Sequence, residues 1–337
     1  MTTEEWIKVV EEGLKIGIKE WEIGGGGEPF MHGNGKTVIE IIEMVKNYGG
    51  GCRIELSTNG TLFSPEVIES FVELEVDSII VGIDGPNVAT HDYLRGFEGS
   101  FDKVTKNIEL FNKIKDEKKS DKPNISVHAV LCKKNYKKIP EMVTLMKKLK
   151  VSAFAIKRLI EGEGNKNVID KIKLSSKNFE YVKSRARYFK FLTKKYKIPT
   201  FFFEGVDLDF ENYKLKIPRG VSINENKQNL KGSNFLDMFL SLSCFDPWYR
   251  IFIDPYGRIK FCNCFTGEFL ETFENLSEAW SSKYFEDIRK AIIEKKLSDF
   301  CFDSKNGCDR TRDIKKRFLE FLKEINTTDN PNKIKTQ

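Results

Sequence analysis

The chain predicts an α/β fold built on a parallel sheet, and three observations carry that expectation. Apolar runs of strand length alternate with segments of helical periodicity up to Arg158. Glycine-rich and polar clusters sit at the carboxyl ends of three of those strands. A hydrophobic content of 40% over 337 residues supports one large domain plus a small one.

The elements follow in order. Residues 4–16 have helical spacing, and residues 20–23 make a short strand running into glycines. Residues 37–47 are helical, and strand 53–57 ends at Thr58-Asn59-Gly60. Helix 64–74 opens with Ser-Pro-Glu, where a hydroxyl can cap the first turn and a proline sits where no amide is needed. Strand 76–83 ends at Asp84-Gly85. Helix 101–115, strand 125–131, helix 139–149 and strand 153–157 complete the alternation. Five strands separated by helices call for parallel pairing and right-handed crossovers. Residues 176–197 read as a basic helix, 207–234 as extended segments and loops, and the polar tail from 327 as disordered.

In such folds chemistry gathers at the carboxyl ends of the strands. The first loaded end, residues 22–30, reads Glu-Ile-Gly-Gly-Gly-Gly-Glu-Pro-Phe. Four glycines let a ligand approach the bare main chain, and Glu28 follows with Pro29 stiffening the exit. That combination suits a ligand carrying an ammonium group; an ordinary glycine loop is the alternative. The second and third ends are 57–60 and 82–85, and all three face one pocket.

Composition narrows the partners. Net charge is +6, from 56 basic and 50 acidic residues. Basic runs such as 115–122 read as solvated surface. Residues 185–197 interleave basic and aromatic side chains, but no nucleic-acid module accompanies them, so nucleic acid is not an expected partner. There is no 18-residue apolar run to span a membrane, and residues 1–12 are too polar and acidic for a signal peptide. The expected location is the cytoplasm.

Seven cysteines are too few for a disulfide scaffold of this length, and five fall between 244 and 308. In a reducing compartment such clustering points to metal. Cys52 and Cys132, in apolar strand-like contexts, read as buried thiols. The cluster is spaced Cys244-x12-Gly257-x4-Cys262-x-Cys264, then Cys301-x6-Cys308. A hairpin of strands 249–253 and 258–261, turning at Asp254-Pro255-Tyr256-Gly257, folds the thiols together. A helix over 282–295 with Phe285, Ile288 and Ile292 on one face brings Cys301 beside them. These thiolates fit either an iron–sulfur cluster or a structural zinc.

Together these residues resemble the radical S-adenosylmethionine (SAM) superfamily with a carboxyl-terminal SPASM or Twitch extension. Gly26-Gly27-Glu28-Pro29 resembles the motif that holds the SAM amino group, and Ser57-Thr58-Asn59-Gly60 the next strand end, near ribose or carboxylate. Asp84-Gly85 and His91-Asp92-Tyr93-Leu94-Arg95-Gly96 look like the following signature. Cys244-x12-Gly257-x4-Cys262 looks like the opening of an auxiliary-cluster module. Asn275-Leu276, Ala279-Trp280 and Phe285-x-x-Ile288-Arg289 look like its linker helices.

The resemblance implies a partial (β/α)6 TIM-like barrel missing its first strand over 1–160. A substrate-covering bridge over 161–243 follows, then a small α+β cysteine-rich SPASM/Twitch domain over 244–312 and a helix with polar tail over 313–337. It also implies SAM held by Gly26, Gly27, Glu28, Pro29, Ser57, Asn59 and Asp84. A 4Fe-4S auxiliary cluster would be held by ligands drawn from Cys244, Cys262, Cys264, Cys301 and Cys308. The implied partners are a peptide or small-molecule substrate and a reductant such as ferredoxin or flavodoxin.

The sequence departs from that pattern in places. The superfamily's Cys-x3-Cys-x2-Cys loop is not present, which is expected to reflect an amino-terminal truncation; a non-catalytic auxiliary-cluster module is the alternative. Position 82 is Gly where the family often has Ser, which removes one polar contact to the cofactor. Ser304 stands where a second cysteine would pair with Cys301, which leaves Cys308 or Cys264 as the fourth cluster ligand.

Overall fold

Every second residue of β2 (Arg53–Thr58) and β4 (Asn124–Leu131) is buried, and those between are half-buried or exposed. Successive side chains on a strand point to opposite faces, so one face of this sheet is covered and the other open. The computed structural model describes residues 1–159, 168–202, 246–262 and 269–294. The chain divides into two compact units, Thr2–Tyr213 and Lys214–Gln337 with Met1. The segments expected over 207–234 and the tail from 327 lie outside the described residues.

The first unit holds six parallel strands in sequential order: β1 (Glu20–Ile23), β2, β3 (Ser78–Gly82), β4, β5 (Ala153–Arg158) and β6 (Thr200–Phe202). Right-handed crossovers between neighbours taken in order put every connecting helix on the same side, which explains the one-sided cover. Those helices are α1 (Thr3–Lys15), α2 (Lys36–Tyr48), α3 (Pro65–Glu73), α4 (Val88–Arg95), α5 (Ser100–Lys118), α6 (Ile139–Lys148), α7 (Ile169–Ile172) and α8 (Ser176–Tyr196). One continuous core joins Ile42, Phe71, Phe111, Met146 and Phe189 from the helices to Leu56, Ile79, Val127, Phe154 and Ile156 from the strands.

The local chemistry is as the sequence predicts at several starts. Ser64 caps α3 by accepting from the Val67 amide, with Pro65 in the first turn. Thr2 and Glu5 form a capping box on α1. The strand count differs from expectation, six rather than five. β6 has only three residues, too few for periodicity to register, and it adds to β5 with Ala155 opposite Phe201. α4 is also new; it buries Thr90 and His91 rather than an apolar stripe.

In the second unit α9 (Asp246–Tyr249) leads to an antiparallel hairpin of β7 (Phe252–Ile253) and β8 (Ile259–Lys260). The strand expected from 249 begins later, because Pro247 favours a helical first turn and Tyr249 closes it. Asp254 locks the hairpin turn by accepting from the amides of Tyr256 at 2.9 Å and Arg258 at 3.0 Å. Beyond it lie α10 (Leu276–Trp280) and α11 (Lys283–Ile293), and α11 buries Phe285, Ile288 and Ile292, the face its spacing predicts. No described helix is long and apolar enough to cross a membrane.

At the amino ends of the strands, buried Asp77 gathers three donors. Its carboxylate accepts from Lys46 Nζ at 3.1 Å, Lys122 Nζ at 2.8 Å and the Ile54 amide at 3.0 Å. Burial acts to raise its pKa, but hydrogen bonds from Lys122, Ile54 and Lys46 outweigh it, and the pKa lies below the ordinary carboxylate value. A depressed pKa contributes stability above the unfolded value of about 3.9, lost as pH falls through the folded one. Asp77→Ala strands the Lys46 ammonium and the Ile54 amide, at an expected loss of about 2–4 kcal/mol at pH 7. Urea denaturation checks it, and the gap from the parent should narrow as the pH falls below about 4.

Candidate functional site

Gly24 follows β1 with φ of +136°, and a Cβ there would lie 2.8 Å from the Ser57 carbonyl oxygen of β2. Only glycine lets these two strand ends approach so closely. Among the described residues, Gly25–Gly27 make no hydrogen bonds, so their amides and carbonyls are free for a ligand.

Glu28 closes the loop. Its Oε1 accepts from Thr58 Oγ1 at 2.6 Å and from the Phe30 amide at 3.3 Å, and its Oε2 accepts from the Asn59 amide at 2.6 Å. Pro29 opens the 3-10 turn Pro29–Gly35 that Glu28 caps. A carboxylate offers about four acceptor positions, so one remains on this half-buried side chain. Asn59 Oδ1 accepts from the amide and hydroxyl of Thr61, at 2.8 and 2.6 Å. The Ser57 hydroxyl, on the open face, bonds to no described residue.

A second network joins the ends of β3 and β4. Asp84 Oδ1 accepts from the Val130 amide at 2.7 Å, and Oδ2 pairs with Arg95 Nε at 2.9 Å. The Asp84 amide donates to His91 Nδ1 at 3.1 Å. Burial, then the Arg95 charge, pushes the His91 pKa down to about 4, so the ring is neutral at pH 7. Asn135, fully buried, donates through Nδ2 to the carbonyls of Asp84 and Val130, both at 2.8 Å, and accepts from the Cys132 amide at 2.8 Å. The Arg95 guanidinium lies over Gly82, where any Cβ would overlap it. A side chain at position 82 would displace the guanidinium from this place.

Residues 1–146 match the model of the Radical SAM superfamily. This stretch is a Radical SAM superfamily domain. The AdoMet-dependent heme synthase of Methanosarcina barkeri (strain Fusaro / DSM 804) is 32% identical over 170 residues, covering 50% of this chain and 44% of that protein. The chain spans less than half the length of the curated relatives it matches. The crystal structure of Streptococcus suis SuiB bound to S-adenosylmethionine superposes with a TM-score of 0.59 at 17% identity, covering 86% of this chain and 60% of that one. Native anSMEcpe with bound AdoMet and Kp18Cys peptide gives a TM-score of 0.58 at 16% identity, covering 98% and 91%. Both likenesses concern the fold.

Within the Radical SAM domain, the structure brings Gly26, Gly27, Glu28, Pro29, Ser57 and Asn59 together at the ends of β1 and β2. Asp84 stands apart from them, its carboxylate engaged by Arg95 and Val130. Sequence reasoning placed Thr58 and Arg95 inside motifs without a role of their own and did not single out Asn135. Cys52 and Cys132 are buried, as expected, at the amino end of β2 and just past β4. Of the five carboxyl-terminal cysteines only Cys262 is described, buried after β8. Cys244, Cys264, Cys301 and Cys308 lie outside the described residues. Among the described residues no three His, Cys, Asp or Glu side chains form a metal-binding group.

Asn135→Ala would take this partner from the buried Cys132 amide and Asp84 carbonyl and from the half-buried Val130 carbonyl. The expected loss is about 2–4 kcal/mol, read by urea denaturation. A loss below about 1 kcal/mol would show that water replaces the amide.

Proposed function

We propose that this chain forms the SAM-binding side of a radical SAM enzyme acting on a peptide or small-molecule substrate. The observation behind this reading is the free main chain of Gly25–Gly27 beside a carboxylate with one acceptor position left. An ammonium group needs that set, a carboxylate flanked by carbonyl oxygens. Glu28 would hold the SAM ammonium over the backbone of Gly26 and Gly27, with Pro29 fixing the loop. Ser57 and Asn59 would position the rest of the methionyl or ribose part. Asp84 would act through Arg95, because both its oxygens are engaged. When bound, SAM supplies a 5′-deoxyadenosyl radical once a reduced cluster cleaves it.

The proposal extends to the rest of the chain. Residues 1–160 would be the partial (β/α)6 barrel and 161–243 a cover for substrate. Residues 244–312 would be the SPASM/Twitch domain, with Cys244, Cys262, Cys264, Cys301 and Cys308 holding a 4Fe-4S auxiliary cluster. A ferredoxin- or flavodoxin-like reductant would serve it in the cytoplasm. The 337 residues contain no Cys-x3-Cys-x2-Cys loop, so the thiolates of a SAM-cleaving cluster are not among them. We derive no step through that cluster. The solved structures of SuiB with S-adenosylmethionine and of anSMEcpe with AdoMet and a peptide support the choice of cofactor and of substrate range.

Two measurements test the reading. Equilibrium dialysis should show SAM binding that Glu28→Gln weakens about tenfold, the loss of one charge-assisted contact. Unchanged affinity in a folded Glu28→Gln protein would remove Glu28 from the site. Anaerobic metal analysis should find iron with acid-labile sulfide, and zinc without sulfide would replace the auxiliary cluster with a structural metal.

A further inference from the structure

We propose that the open face at β4 and β5 binds a carboxylate of the substrate, recognised by Lys157 and the His128 imidazole with Arg95 at its edge. This rests on the SAM reading above only for the identity of the neighbouring ligand.

The placement follows from strand alternation. Val127 and Ala129 on β4, and Phe154 and Ile156 on β5, all belong to the core. His128 and Lys157, at the alternate positions, therefore face the open side. His128 lies in register with Gly82 on β3 and Ala155 on β5, and Lys157 lies opposite Val130. The imidazole is thus flanked by a glycine and by the buried methyl group of Ala155, and the space that a side chain would fill at Gly82 lies beside the ring. At Gly82 that room holds the Arg95 guanidinium, tethered to Asp84 through Nε.

Among the described residues the charges in this patch are unbalanced. The His128 carbonyl accepts from the Ile83 amide, but neither the His128 nor the Lys157 side chain makes a hydrogen bond or ion pair with any described residue. Burial, then the nearby Lys157 charge, holds the His128 pKa down to about 4. At pH 7 the ring is neutral and offers one N–H donor. Lys157 supplies one uncompensated positive charge, while Arg95 is neutralised by Asp84. Among the described strands the acidic residues of the open face, Glu20, Glu22 and Glu55, stand on β1 and β2, away from this corner.

One net positive charge with two further N–H donors matches a singly charged planar oxyanion, hence a carboxylate. A dianionic phosphate would call for a second uncompensated cation.

The carboxylate of SAM itself does not fit here. Its ammonium and carboxylate share one carbon, so with the ammonium at Glu28 the carboxylate stays near β1 and β2. β4 and β5 lie two to three strands beyond β2, about 10–14 Å at the usual strand spacing. A carboxylate bound at Lys157 belongs to a different molecule, the substrate.

The sequence has three histidines, His32, His91 and His128, so His128→Gln assigns the His128 ring resonances in a carbon–proton spectrum of the full chain. Titration with sodium glutarate should move those resonances saturably, and sodium chloride at matched ionic strength should not. Lys157→Gln, at an exposed position that leaves the fold intact, should weaken glutarate about fivefold or more and leave SAM affinity within about twofold. Equal shifts with chloride, or glutarate binding unchanged in Lys157→Gln, would overturn the proposal. Stronger binding of inorganic phosphate than of glutarate would overturn the carboxylate assignment. A Lys157→Gln loss of SAM affinity matching that of Glu28→Gln would give the patch to SAM and overturn it as well. If the parent chain binds no SAM, the cofactor reading fails while the glutarate titration still decides this one.

Discussion

The sheet is covered on one side only, and the rest of the first unit follows from that constraint. Sequential parallel strands with right-handed crossovers send every helix to the same face. Half of each strand's side chains then anchor a core, while the other half never leave a wet or ligand-filled space. A sheet covered on both faces would have to bury Glu55, Ser126, His128 and Lys157, each at a desolvation cost of several kcal/mol for the charged groups. Here those residues occupy alternate positions that stay half-buried or exposed, so the open face can carry chemistry.

Carboxylates hold the strands at both ends by the same device. β2 donates its Ile54 amide to Asp77 at one end, and the Asn59 amide just past it to Glu28 at the other. β4 donates its Val130 amide to Asp84. Each acid comes from a neighbouring segment, so each contact fixes the level of one strand against the next. The environments then separate their roles. Asp77 is buried between two lysines and can only stabilise. Glu28 sits beside unbonded glycines and keeps an acceptor position, so it alone can serve both the fold and a ligand.

The five longer strands were legible from strand-length apolar patterning, and three of them also from the glycine or turn residues at their ends. The helices before them were legible from spacing and caps such as Ser64. β6 and α4 were not, since three residues show no period and α4 turns a polar face inward. In the site, Glu28 announced itself through four adjacent glycines. Its partner Thr58 gave no local signal, because the pairing joins residues 30 positions apart. Asn135 reaches Asp84 across 51 positions, and nothing within its own segment marks it as the link between β3 and β4. Local sequence reports backbone demands and periodicity; it is silent on side chains whose value lies in a distant partner.

Gly82 shows how such a distant partner changes the meaning of a residue. Read locally, a glycine in place of serine is a lost hydroxyl. In the fold it is the space that admits Arg95, whose long side chain returns from α4 and is braced by Asp84. Asp84 is braced in turn by the amide of Val130, while Asn135 holds the main chain on either side. A serine hydroxyl at that position would be fixed to its strand and could donate one hydrogen bond. A guanidinium offers several donors in a plane and can tilt about its tether to Asp84. The exchange therefore moves the polar group at the end of β3 from the strand itself to a buttressed arm. That arm stands next to His128, and the open face at β3 and β4 becomes a place for an anion rather than a single hydroxyl contact.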